Sequence, residues 1–573
     1  MKKFLLGIVV GLLMTALTAV VLFFVFLRLG RRPPHIPDAS ILVLRVEGEL
    51  PEAPPMEIPL PTFQRTQATT VLEHWDMLRK AAADSRIRAV LLMPEGLRTG
   101  WAKLQQIRES LEQFKKSGKP LYAWLRRPGT REYYLATAAE RLYLGPEDFL
   151  DFKGLRVELM YLKKTLDKIG VDVEVAAAGK YKDAPDMFTR TSMSPETREV
   201  MNSILDETYR HLVEAVAAAR KQRPDDVRAA IDAGPFTAAQ ARAKGLVDGL
   251  QYEDQVFEEI RNRLKLAETR KVASRDYRRI PPESLGLEGR SRIALVVAEG
   301  AIVRSGGDGF GMEGLVSAEE FTRLLREIAG DGRIRGVIVR VDSPGGDGAA
   351  SDEIWREMSL LGRKKPLVIS MSDAAASGGY YIAATGDPIV AYPGTLTGSI
   401  GVFYGKLNLR QLYDKLGITK EILKRGRFAA IDSDYAPLGP EERAKLAAAV
   451  QDFYKSFVAR VAESRKRKAG EIEPLAQGRV WLGSQARQNG LIDHLGGLDR
   501  AIELVKQKAG IPAAEKIRLV SYPPRRTILD WALGQTQLAA PDARLAAFLR
   551  RYATRSWLEG GVFRMMPYGI EVR

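Results

Sequence analysis

The 573-residue chain contains no cysteine. Disulfide frameworks, thiolate metal sites and cysteine nucleophiles are excluded, while the redox compartment stays open. Histidine is scarce as well: the four present, His35, His74, His211 and His494, all lie away from any motif, which leaves a Ser-His-Asp triad without an evident base. Long basic blocks and basic residues interleaved with aromatics are also missing. The formal charge of +16 is instead spread along the chain, a pattern that argues against nucleic acid and favours contact with an anionic lipid surface. With 45% hydrophobic residues, the chain has the apolar content to fill two or three cores.

One uncharged run stands apart. FLLGIVVGLLMTALTAVVLFFVFL, Phe4 to Leu27, is 24 residues long, and as a helix rising ~1.5 Å per residue it would cross a bilayer. A cleaved secretory signal has a shorter apolar run that ends at a small-residue site, whereas here LTAV is followed by seven more apolar residues. An uncleaved membrane anchor is expected over residues 1–32. Lys2 and Lys3 on one side face Arg28, Arg31 and Arg32 on the other, so charge alone does not choose an orientation.

Beyond the anchor the chain repeats itself. DSRIRAVLL at Asp84 matches DGRIRGVIV at Asp331, and YYLATAAERLYLGP at Tyr133 matches YYIAATGDPIVAYP at Tyr380, both at an offset of 247 positions. Two separated segments that share one offset indicate a duplicated domain. Short β-branched runs alternate with helical patterns, such as SAEEFTRLLREIA with Ser317 as cap and Glu320 three residues on. This alternation predicts an α/β fold with parallel strands. The expected halves are residues 33–265 and 291–510. A charged, proline-bearing linker would span 266–290, and a basic tail with an amphipathic stretch would span 511–573.

GFGMEG, Gly309 to Gly314, satisfies a dinucleotide fingerprint, but it lacks the sharp strand-to-helix turn that such a site needs. A glycine loop fits it better. AAASGGYY has more to offer. Small residues flank Ser377 and would let a substrate backbone approach, and Gly378 supplies an N–H that no side chain obstructs. A second glycine turn, VDSPGGDG, could aim the Gly345 or Gly346 N–H at the same oxygen. The competing reading makes Ser377 a helix cap in a packed core. AASGG also fails the G-x-S-x-G elbow.

Without histidine, lysine is the remaining common base, provided that its environment lowers its proton affinity toward neutrality. At the 247-residue offset Ser377 corresponds to Thr130, Lys180 to Arg427 and Lys182 to Ala429. The second half thus keeps a serine that the first lacks, and the first keeps a lysine that the second lacks. One composite site at the junction of the halves would explain both losses. The alternative leaves Lys182 as one more solvated lysine.

RVDSPGG, AAASGGYYIA, GTLTGSIGV and GKYKDA with MSPETREVM resemble the signal peptide peptidase A (protease IV) family in its long, duplicated, membrane-anchored form. The resemblance runs from the anchor to about residue 510. It implies tandem crotonase-like (Clp-protease-like) α/β domains and a Ser-Lys dyad, with Ser377 as nucleophile, Lys182 as general base and Ser399 orienting the lysine. It also implies a homo-tetramer on the extracytoplasmic face of a bacterial inner membrane, acting on signal peptide remnants and using no metal or other cofactor. One departure concerns Asp183, which stands where the long form usually has serine; its carboxylate would strengthen the lysine's hold on its proton unless it points away. Two rivals remain: a crotonase-fold enzyme acting on acyl-CoA, and a catalytically inactive membrane scaffold.

Overall fold

The computed structural model describes residues 34–54, 68–305, 314–523, 561–566 and 572, with isolated positions among the first eighteen residues. The apolar run of residues 4–27 falls almost wholly outside these, as do most of GFGMEG and the amphipathic part of the tail. Among the described residues no helix is long and apolar enough to cross a membrane.

The first half is built on strands β1 (Ser40–Glu47), β2 (Ile87–Glu95), β3 (Leu121–Leu125) and β4 (Arg141–Leu144). Helices α1 (Val71–Ala83), α2 (Trp101–Lys115) and α3 (Thr130–Ala136) alternate with them, followed by strand β5 (Asp172–Ala178), the long helix α4 (Pro195–Arg220) and strands β6 (Gly249–Leu250) and β7 (Arg270–Ala273). Thr70 and Glu73 cap α1 reciprocally, each side chain accepting the other's backbone N–H at 3.0 Å. The sheet order is β6-β4-β3-β2-β1-β7, and every pairing is parallel. Helices cover both faces, so strands such as β2 read as unbroken apolar runs rather than alternating ones.

The second half repeats the plan. Its elements are β8 (Ser291–Glu299), β9 (Ala301–Val303), β10 (Leu315–Ser317), α5 (Ala318–Gly330), β11 (Ile334–Ser343), β12 (Gly345–Asp347), α6 (Gly348–Lys364), β13 (Leu367–Ala376), α7 (Gly378–Ala383), β14 (Leu396–Gly398), β15 (Val402–Asn408), α8 (Pro440–Arg465), β16 (Val480–Leu482) and β17 (Ile517–Tyr522). The main path of its sheet runs β16-β14-β13-β11-β8-β17. As read from the sequence, the Ser317 hydroxyl accepts the Glu320 N–H at the start of α5.

The segments read from sequence as a linker and as a basic tail both carry strands. Residues 266–290 contain β7, parallel to β1, together with the fully buried Tyr277. The start of the tail contains β17, parallel to β8. The two edge strands begin 247 positions apart, at Arg270 and Ile517, so the repeat extends to the end of β17. Their short length and mixed polarity gave no clear strand period.

A third sheet joins the halves, in the order β10-β9-β12-β18-β15-β5, where β18 is Gly561–Met565 near the C-terminus. β5, from the first half, pairs antiparallel with β15 over seven residues, Asp172 to Ala178 against Asn408 to Val402. The cores also cross the boundary: Ala376, Val480 and Leu482 of the second half pack in the first half's apolar cluster.

Candidate active site

β13 ends at Ala376, and Ser377 turns the chain from that strand into α7. Its backbone sits at φ +53, in the left-handed region, which costs on the order of 1–3 kcal/mol for a non-glycine residue. Two hydrogen bonds hold the turn: the Ser377 N–H donates to Gly398 O, and Ser377 O accepts from the Tyr381 N–H, both at 2.8 Å. Ser399 also has a positive φ, of +50, and its N–H donates to Arg479 O at 2.8 Å. Both serines are fully buried.

Lys182 arrives from the other half. β5 delivers it through Gly179, whose φ is +110; a Cβ there would lie 2.5 Å from the Gln477 carbonyl carbon. The Tyr181 N–H donates to Gln477 O at 2.8 Å, fixing the loop against the second half. The Lys182 ammonium nitrogen Nζ then lies 2.8 Å from Ser377 Oγ, 3.0 Å from Ser399 Oγ and 3.2 Å from Ser399 O. The side chain is 4% exposed, which removes the reading of Lys182 as a solvated surface lysine. Lys180, two residues earlier, is exposed and lies over the Tyr181 ring at 4.5 Å.

Glycines that sequence reasoning did not single out shape the lysine's seat. Gly478 has φ +79, and a Cβ there would come within 2.6–2.8 Å of Lys182 N, Cα and Cβ. A Cβ on Gly401 would lie 3.1 Å from Lys182 Cδ. Gly478 is itself placed by its N–H donating to Ile400 O at 2.8 Å. For Gly478 the sequence signal was only a glycine among many, with no motif around it, whereas Gly401 lies within GTLTGSIGV.

The glycine turn comes directly after β11. A Cβ on Gly379 would lie 2.5 Å from Ser343 O, so the second glycine of AASGG permits the nucleophile turn to touch the start of the Pro344–Gly345–Gly346 loop. Gly378 opens α7, where a first-turn N–H has no intrahelical acceptor. The Gly345 N–H donates to Ser343 Oγ at 3.2 Å, and Gly346 lies in the β12 ladder. β18 from the C-terminus runs antiparallel along this loop, with Met565 opposite Gly345 and Arg564 opposite Gly346, and the Met566 N–H donates to Pro344 O at 2.7 Å.

The histidines sit elsewhere. The His74 ring contacts Thr70 O and Arg45 O, His211 lies beside Glu207, and His494 is in a short strand paired with Val390.

Asp183, beside the lysine, has its carboxyl pushed up from 3.8 to about 6, chiefly by burial; a hydrogen bond from Thr197 opposes the rise, Asp186 adds to it, and Lys182 acts on it least. Because the folded value exceeds the unfolded one, the stability linked to this proton is complete below about pH 4 and is lost as pH rises through about 6. Asp183→Asn is therefore expected to gain thermal stability over the native chain at pH 7.5 but not at pH 4, as read by melting curves at the two pH values.

A family model described as Peptidase family S49 matches residues 113–267 and 359–512, one segment in each half. The chain is 38% identical to "Serine protease SPPA, chloroplastic" of Arabidopsis thaliana over 446 residues, covering 77% of this chain and 66% of that one. It is 31% identical to "Protease 4" of Salmonella typhi over 499 residues, covering 84% and 78% respectively. A "Putative signal peptide peptidase SppA" of Enterococcus faecium is 36% identical over 200 residues, 35% of this chain and 58% of that one.

Proposed function

Because the chain belongs to peptidase family S49, we propose that it is a membrane-anchored serine endopeptidase with one Ser-Lys dyad assembled from two crotonase-like halves. The observation that carries this reading is the 2.8 Å approach of Lys182 Nζ to Ser377 Oγ across the junction of the halves. A neutral amine has two N–H donors and one lone pair. With the N–H groups spent on Ser399 Oγ and Ser399 O, the lone pair faces the Ser377 hydroxyl and accepts its proton as Oγ attacks the peptide carbonyl. Lys182 then returns the proton to the leaving amine, and water repeats the cycle on the acyl-enzyme. The Gly378 N–H receives the oxyanion, with a second N–H from the Gly345–Gly346 loop joining it once substrate displaces its present contact, Ser343 Oγ for Gly345 or the strand ladder for Gly346, each such donor worth about 3 kcal/mol.

The substrate binds as an added strand. The pairing of β18 with Gly345–Asp347 supports this, because it shows that the glycine segment accepts an antiparallel strand; an incoming peptide competes with β18 for that edge. Signal peptide remnants fit such a site when the anchor of residues 1–32 holds it at the extracytoplasmic face of the inner membrane. Detergent-solubilised protein is expected to cleave a fluorogenic leucine- or alanine-rich peptide and to be labelled at Ser377 by a fluorophosphonate, whereas Ser377→Ala does neither. Acyl-CoA turnover without peptide cleavage would favour the acyl-CoA rival instead.

The copies assemble as a closed ring, for which the resemblance implies four subunits. Within one chain β5 pairs with β15. At the repeat offset their counterparts are residues 419–425 and 155–161, where among the described residues only Val157 makes a bridge, to Val572. Exposed apolar side chains gather on both segments or beside them: Leu416, Ile418, Ile422 and Leu423 on one, Met160 and Ile169 on the other. Repeating the internal contact between copies buries them and gives a head-to-tail interface that closes on itself. Ile422→Asp with Leu423→Asp is expected to reduce the mass measured by light scattering to that of single chains; an unchanged mass rejects this interface.

A further inference from the structure

At the contact between the halves lies a group of charged side chains that the reaction as described does not use. Lys103 on α2, Arg340 on β11 and Glu52 are buried, with Glu299, Asp342 and Asp373 around them. Lys103 Nζ lies 2.7 Å from Asp342 Oδ2 and 3.8 Å from Glu299 Oε1. Asp373 accepts the Gly100 N–H at 2.8 Å and the Lys103 N–H at 2.9 Å, which seats it on the start of α2. The approach is so close that a Cβ on Gly100 would lie 2.4 Å from Asp373 Cγ. Arg340 Nη2 donates to Glu52 Oε1 at 2.9 Å, and Glu299 accepts the N–H groups of Glu52 and Ala53 at 3.1 and 2.9 Å.

Their place in the chain gives these contacts a consequence. Asp342 directly precedes Ser343 and the glycine loop, and Asp373 lies four residues before Ser377. Between them the ladder of β11 and β13 slips: Val341 pairs with Met371, but Ser343 pairs with Ala375. The strand that carries the nucleophile therefore bulges at residues 372–374, and such bulges redirect the chain beyond them. The Asp342 carboxylate takes the Ala374 N–H at 3.0 Å within this bulge. Lys103 holds Asp342, while α2 holds Asp373.

We propose that Lys103 is a positioning residue for the reaction, clamping the bulge of β13 through Asp342 and Asp373 and so setting Ser377 against the glycine loop. The first half then supplies two lysines with different duties, Lys182 touching the nucleophile and Lys103 fixing the strands that present it. Lys103 corresponds to Ala350 at the repeat offset, so the second half has no equivalent. Charge balance supports the clamp. Burial acts against the Lys103 ammonium, but Asp342, Asp373, Glu52 and Glu299 together outweigh it and hold its proton above the ordinary lysine range. Burial raises Asp373 and Glu299, opposed in each case first by Lys103.

The inference rests on Ser377 being the nucleophile, and the test separates the two. Wild type, Lys103→Met and Lys103→Arg are compared for kcat and KM on the fluorogenic peptide, for the rate of fluorophosphonate labelling, and for melting temperature. Lys103→Met is expected to lose about 30–100-fold in kcat and in labelling rate, with KM within about threefold, since a misplacement of about 1 Å costs on that order. Lys103→Arg is expected to recover at least about a third of the wild-type kcat, because it restores the cation. A lowered melting temperature with kcat per labelled site unchanged overturns the proposal and leaves Lys103 a purely structural residue. If Lys103→Met does not fold, Asp342→Asn serves instead: it keeps an acceptor for Ala374 but removes the charge facing Lys103. It is expected to lower kcat about tenfold, and an unchanged kcat again overturns the proposal. Wild type that is not labelled at Ser377 would instead reject the dyad reading itself.

Discussion

Replacing Lys182 by methionine is expected to lower kcat/KM for peptide hydrolysis by about 10⁴-fold, equivalent to ~5.5 kcal/mol of transition-state stabilisation. Methionine has nearly the same length and apolar stem, so the cavity beside Gly401 and Gly478 stays filled while the proton acceptor 2.8 Å from Ser377 Oγ disappears. Histidine does not replace it among the described residues: the His74 ring contacts Thr70 O, His211 lies beside Glu207, and His494 sits in a short strand paired with Val390. Ser377→Ala is expected to lose as much, and the double variant no more than either alone, because groups that act as one unit are not additive. Lys180→Met is the control: its side chain is exposed over Tyr181, and activity should stay within about twofold of the native value.

The second large effect is expected at a residue with no chemistry of its own. Gly478→Ala places a methyl group 2.6–2.8 Å from the Lys182 backbone and Cβ, at a φ of +79 that alanine tolerates poorly. Real Cβ atoms do not approach backbone so closely, so the loop at 477–478 or the lysine loop must move apart. The backbone conformation alone costs about 1–2 kcal/mol, and overpacking adds roughly 1–3 kcal/mol. Moving Nζ by about 1 Å from its line to Ser377 costs about 10²-fold in kcat. A drop in kcat of that size with KM near native is the expected outcome, read by steady-state kinetics together with a denaturant titration. Native kinetics in Gly478→Ala would mean that the lysine's position does not depend on this contact.

Much of the site could be read from the chain because duplication turned the two halves into mutual controls. Thr130 opposite Ser377 and Ala429 opposite Lys182 marked what each half had lost, and the structure brings Ser377, Lys182 and Ser399 within hydrogen-bonding distance. The parallel sheets were legible because β2, β11 and β13 are apolar runs buried on both faces. Three features were not legible, each for a physical reason. Gly478 matters through a clash with a backbone nearly 300 positions away, and no local pattern encodes such a contact. The Lys103 group joins carboxylates from four separate strand ends and loops, and each looks like an ordinary surface charge when read alone. β7, β17 and β18 are short, and their pairing is fixed by the edges they meet rather than by their own period.

Asp183 bears on the lysine base that the sequence places beside it. A carboxylate next to a lysine base would tighten the ammonium's hold on its proton. Here the Asp183 carboxyl is hydrogen-bonded to Thr197 on α4 and burial raises its own affinity for a proton, while the attraction of Lys182 is the last of the influences on it.

The most direct test of the composite dyad is the pH dependence of fluorophosphonate labelling at Ser377, measured in detergent for the native chain, Lys182→Met and Lys180→Met. The account predicts that the native protein and Lys180→Met label rapidly, with a rate that rises with pH as the lysine gives up its proton, and that Lys182→Met labels about 10³-fold more slowly or not at all. Rapid labelling of Lys182→Met with an unchanged pH profile would contradict it, because Ser377 would then draw its reactivity from some other base.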